Sequence, residues 1–167
     1  MKNWIHAFSV IDFISAGILL TAVSMNALRR LESCVKAYSL NSWLLSLLVA
    51  MVALVIGETH LYIASLVTFL SKGVIIPVIL RRIVKQMKVT REVEPYISNA
   101  MSLTISGILV AVVYGSLKQG IFVTGFSRNV LQISIAVIFI GLFIMITRKK
   151  AITQVIGLLF MENGLFL

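Results

Sequence analysis

The stretch THLYIASLVTFLSKGVIIPVIL, Thr59–Leu80, decides the fold. As a helix rising about 1.5 Å per residue, it spans the roughly 30 Å hydrocarbon core of a bilayer. Its one formally charged residue is Lys72, and it closes on Arg81 and Arg82. A helix at the surface of a soluble domain keeps one face polar, whereas this run is apolar all round.

Five further apolar runs lie on either side: Trp4–Ala27, Ala37–Gly57, Ile97–Leu117, Val130–Ile146 and Ala151–Leu167. Together they predict an all-α, polytopic transmembrane bundle of about six helices, forming a single transmembrane domain over residues 1–167. Composition agrees. Hydrophobic residues make up 59% of the chain and charged residues 13%, with a mean hydropathy of +1.03. Soluble domains are typically about 45–50% apolar and about 25% charged. The first run is too long for a signal-peptide core, and no small-residue cleavage site precedes Arg29-Arg30, so it reads as a retained helix. The single cysteine, Cys34, excludes an internal disulfide and any multi-cysteine metal or iron–sulfur site.

The net charge of +9 is a statement about topology. Eleven of the 15 basic residues fall in alternate loops. These are Arg29, Arg30 and Lys36; Arg81, Arg82, Lys85, Lys88 and Arg91; and Arg148, Lys149 and Lys150. Lys2, Lys118 and Arg128 fall on the other side. The positive-inside rule then puts the N-terminus outside the cytoplasm and the basic loops inside. In loops this short, such clusters read as orientation signals and lipid-headgroup contacts. The partner they imply is the bilayer, with no nucleic acid.

Three formally charged residues lie within the apolar runs: Asp12, Lys72 and Glu162. A charge at membrane depth costs about 2.5–3.5 kcal/mol on insertion scales, so such residues face protein or water. Lys72 lies roughly 12 Å from the inner end of its helix, too deep for full snorkelling. Pro77 has no N–H and frees the carbonyl of Gly73 four residues back, a helix break with an unpaired acceptor beside the lysine. Glu162 lies roughly 17 Å into the last run, so both groups are predicted near the bilayer centre. Burial penalises the charged form of each, and a pair or a water chain between them offsets both penalties. A proton relay and a structural ion pair are the two readings. Asn163 adds an amide beside the acid. Gly157 and Gly164 share a helix face and admit a close neighbour.

Asp12 is shallower, on a stripe with Ser9 and Ser15 that reads as helix packing or as a relay position. Glu58 and His60, in the tight turn before the third helix, are either a proton exit or a solvated loop. Ser98, Ser102 and Ser106 step by four along the fourth helix as a packing seam. Trp4, Tyr38 and Trp43 suit anchoring at the membrane interface. Two histidines, His6 and His60, are too few to argue a haem, and the chain carries no phosphate loop, nucleophile elbow, HExxH or other metal-ligand set. No catalysis of its own is expected.

Two motifs carry a resemblance. One is Ile152–Gly164, with its Met161-Glu162-Asn163-Gly164 cluster preceded by Arg148-Lys149-Lys150. The other is Ala64-Ser65 followed by Ser71-Lys72-Gly73-Val74-Ile75-Ile76-Pro77. Together, over essentially the whole chain, they resemble component E of hydrogenase-4 and the membrane arms of formate hydrogenlyases. The C-terminal part also looks like the small K subunit of respiratory complex I and the C subunit of multisubunit sodium/proton antiporters. It departs from them in one respect: Leu159 stands at the position of the complex I glutamate, and the acid is one turn deeper, at Glu162. Component E proteins usually continue for another helix, whereas this sequence ends at Leu167. Either the chain stops at the outer surface or a longer protein has been cut or split.

The resemblance implies a tandem three-helix repeat. Residues 1–88 and 130–167 would be the two units, with a connector helix over 97–117, and Lys72 would stand where the absent helix's acid would be. It also implies a non-catalytic subunit of a group 4 nickel–iron hydrogenase-type complex in a bacterial or archaeal cytoplasmic membrane. Antiporter-like subunits and proton-channel core subunits would be its partners. The nickel–iron centre and iron–sulfur clusters would belong to partner subunits of the complex, with no cofactor in this chain. The alternatives are a stand-alone cation/proton antiporter and a purely structural assembly subunit.

Overall fold

The computed structural model describes residues 2–86, 96–117 and 128–167, with side chains from Ser9 onward in the first helix. The side chains of Lys2, Trp4 and His6, and the residues Lys88, Arg91 and Lys118, lie outside the described residues. The described chain is a bundle of helices with no strand. The helices are α1 (Lys2–Met25), α2 (Leu31–Ile56), α3 (Thr59–Gln86), α4 (Asn99–Ser116), α5 (Arg128–Thr147) and α6 (Ala151–Phe166). Among the described residues, α2, α3, α4 and α5 are each long and apolar enough to cross a membrane. At 16 residues, α6 is roughly 24 Å long.

Two boundaries differ from the apolar runs. The second helix begins at Leu31 rather than Ala37, and the third continues past Leu80 to Gln86. Hydropathy marks the part of a helix that lies in lipid, and both extensions project beyond it. They are amphipathic. Leu31, Val35, Leu80 and Val84 are buried, while Glu32, Lys36, Arg81, Arg82 and Lys85 are exposed. Between α2 and α3 the chain reverses at Gly57, whose φ of +80° is the left-handed conformation that ends a helix. Its N–H donates to the Ala53 carbonyl at 2.8 Å.

The second helix is central, packing against α1, α3 and α6. The fifth packs along α6 and also meets α1 and α4, and α4 lies at the edge. Three hydrogen bonds tie the helix ends on one side. Tyr96 N–H donates to the Thr147 carbonyl at 2.9 Å. The Asn99 amide reaches the Ala27 carbonyl at 3.4 Å, and Arg148 reaches the Asn26 carbonyl at 3.0 Å. The ends of α1, α3 and α5 and the starts of α2, α4 and α6 therefore share one end of the bundle. The described basic residues of the loops, other than Arg128, gather there.

The α5–α6 contact is set by glycine. A Cβ on Gly141 would lie 2.6 Å from the Met161 backbone nitrogen, and one on Gly164 would lie 2.9 Å from that of Ile138. A Cβ on Gly157 would meet the Gly141 carbonyl oxygen at 3.0 Å. With no side chains in the way, the backbones approach, and Ser134 donates to the Gly164 carbonyl at 2.7 Å. Gly157 and Gly164 thus share the packing face read from the sequence. Gly141, their counterpart on α5, was not singled out there.

Candidate functional site: a lysine–glutamate pair at a π-helical segment

Within α3, residues Phe69–Ile75 form a π-helix. Its cause is local. Pro77 has no N–H to return to the Gly73 carbonyl, and the Ile76 N–H donates five residues back to the Ser71 carbonyl. The sequence predicts that carbonyl as an unpaired acceptor. Instead α2 satisfies it: the Trp43 indole N–H donates to Gly73 O at 2.9 Å and Ser39 Oγ at 3.3 Å. Trp43 is therefore part of a helix–helix joint, a role its residue type did not suggest. Gly73 is required there because a Cβ would lie 2.7 Å from the indole Cδ1.

The π segment presents Lys72, whose side chain is only 7% exposed, toward α6. Its Nζ lies 3.0 Å from Glu162 Oε1. The same ammonium stands 3.9 Å from the centroid of the Phe166 ring. Glu162 and Phe166 are four residues apart, so they share one face of α6 and receive the lysine between them. A carboxylate and a π face together replace part of the hydration that the ammonium loses. Glu162 differs from its partner, because its side chain is 43% exposed on the flank of the bundle. The exposed Leu165 and Phe166 adjoin it.

Behind the pair runs a buried polar layer. The Asn163 amide donates to Asn41 Oδ1 at 2.9 Å and to Ser42 Oγ at 3.0 Å. Asn41 in turn donates to Thr21 Oγ1 at 2.7 Å and to the Ile18 carbonyl at 3.0 Å. Asn163 thus links α6 to α2, and Asn41 links α2 to α1. One turn along α2, Tyr38 is fully buried and packs edge-on against Phe160 with ring centroids 5.9 Å apart. Ser46 and Ser65 join α2 to α3 by exchanging hydrogen bonds with each other's carbonyls at 3.2 and 2.9 Å.

The other ionisable candidates stand apart from this cluster. Asp12 is partly buried and accepts from the Asn129 amide at 3.3 Å, which favours its reading as a helix-packing residue. Glu58 and His60 are exposed at the turn into α3. Ser102 and Ser106 are buried as the seam requires, but Ser98 caps α4, accepting from the Met101 N–H at 3.2 Å.

One residue counted as a topology signal has a second role. Arg148 is fully buried. Its Nη2 donates to the Asn26 carbonyl, beyond the last turn of α1, where a cation complements the helix dipole. Burial pushes its pKa down, and interaction with Cys34 opposes the shift. The only sequence signal for this role was its place at the head of the basic turn.

The chain matches no known family and no solved structure. It is similar to the uncharacterized protein Rv0085 of Mycobacterium tuberculosis. The two are 25% identical over 161 residues, covering 95% of this chain and 73% of that protein.

Proposed function

We propose that this chain is a non-catalytic membrane-arm subunit of a complex I-related, group 4 nickel–iron hydrogenase-type assembly. In it, the Lys72–Glu162 pair helps couple electron transfer in partner subunits to proton or sodium translocation. The observation that carries this reading is the asymmetry of the pair. Lys72 is enclosed and Glu162 is half open. An ionised group at membrane depth does not face lipid, so the open side of Glu162 is where a neighbouring transmembrane subunit would sit. A carboxylate held between an internal cation and an external subunit responds to charge changes on either side. The π segment adds to the case, because such bulges recur at functional sites.

In this reading the basic end of the bundle faces the cytoplasm, following the positive-inside rule, and the membrane is a bacterial or archaeal cytoplasmic membrane. Antiporter-like and proton-channel core subunits are the neighbours. The nickel–iron centre and the iron–sulfur clusters belong to other partner subunits of the complex. The test is purification of the tagged chain from native membranes in mild detergent. Co-purification of a nickel–iron hydrogenase large subunit and antiporter-like subunits is expected. Recovery of the chain alone, with cation/proton exchange in proteoliposomes, would instead assign it as a self-sufficient antiporter.

A further inference from the structure

At the basic end, the first turns of α2 and the last turns of α3 enclose a cleft of about 130 Å³. It is lined by Glu32, Val35 and Lys36 from one helix and Arg81, Val84 and Lys85 from the other. The two triplets have the same spacing, i, i+3 and i+4, so each forms one helix face, and the faces oppose each other across the cleft. The valines are buried and make the floor, while the charged residues are exposed and make the rim.

We propose that this cleft binds the phosphate of an anionic phospholipid headgroup. Three cations face one carboxylate, Glu32, and among the described residues none of the three is ion-paired. The start of α2 adds the positive end of a helix dipole, and Arg30 at its N-cap provides no side-chain cap. The volume is below the roughly 300 Å³ of ordinary small-molecule pockets, which suits a headgroup better than a soluble cofactor.

Position separates lipid from free phosphate as the source. Both helices are membrane spans, and the cleft lies where α2 enters and α3 leaves. One turn further into the membrane, the stripe of Lys36 continues in Leu40 and that of Arg81 in Val78, both exposed. An acyl chain attached to a phosphate in the cleft would lie along them. The inference needs the membrane placement of the helices and is independent of the coupling role of Glu162.

The test is native mass spectrometry of the full chain, delipidated in detergent and titrated with phosphatidylglycerol, phosphatidylcholine or inorganic phosphate. The wild type should retain one phosphatidylglycerol in preference to phosphatidylcholine. Lys36→Gln/Arg81→Gln/Lys85→Gln should bind it at least roughly tenfold more weakly. Arg29→Gln/Lys149→Gln/Lys150→Gln, which removes the same charge from the same end, should bind it as the wild type does. Circular dichroism of both variants checks that the helices remain. Equal loss in both variants would overturn the site in favour of diffuse charge attraction. Binding of inorganic phosphate without the lipid would overturn the lipid source. Protection of the cleft by an acidic peptide but not by lipid would assign it to a protein partner.

Discussion

At the scale of single residues, two side chains have jobs that their residue types do not advertise. Trp43 occupies the carbonyl that Pro77 frees, and only a glycine at position 73 leaves it room. Gly73→Ala should therefore unseat the indole and lose a hydrogen bond worth roughly 1 kcal/mol. In a Trp4→Phe background, Trp43 fluorescence in detergent should change in wavelength and quenching. An unchanged spectrum would mean that the indole is seated by something else. Arg148 is the second case. Arg148→Ala should lower stability by about 1–3 kcal/mol by leaving the last carbonyls of α1 unpaired. Thermal unfolding in detergent measures it, and Arg148→Lys should recover only part of the loss, because one ammonium cannot reproduce the guanidinium fork.

At the scale of elements, the apolar runs made every helix legible but fixed its ends poorly. Lipid solubility and helicity are separate properties, and Glu32, Arg81 and Lys85 are helical without being lipid-soluble. The weak point of α3 was legible from Pro77, but the partner of the freed Gly73 carbonyl was not, because it comes from another helix. The same holds for Asn41. Its role was not read from the sequence, because its partners Thr21 and Asn163 are distant in sequence. The glycine contact between α5 and α6 yields a prediction at this scale. Gly157→Val should force the backbones apart and cost about 1–3 kcal/mol by overpacking. A Val at Gly107, where a Cβ meets nothing, should leave the unfolding midpoint near that of the wild type.

At the scale of the whole molecule, the chain sets an ion pair beside a polar layer in a largely apolar bundle, and leaves one partner of that pair open at the flank. From the sequence, Lys72 and Glu162 stood out because charges at membrane depth need a reason. Their contact depended on how α3 and α6 lie around α2, which no local pattern encodes. Asp12 stood out by the same rule, and Glu58 and His60 by their place in the turn before α3, yet all three lie outside the cluster. A pair that serves only to pin helices tolerates replacement of both members by neutral residues of similar size, whereas a coupling pair does not. Proton pumping by inverted membrane vesicles containing the assembled complex is the deciding measurement, comparing wild type with Glu162→Gln and Lys72→Met/Glu162→Gln. The coupling account predicts complexes that assemble and transfer electrons but pump far fewer protons in both variants. Full pumping by the doubly neutral variant would contradict it and leave the pair a structural clasp.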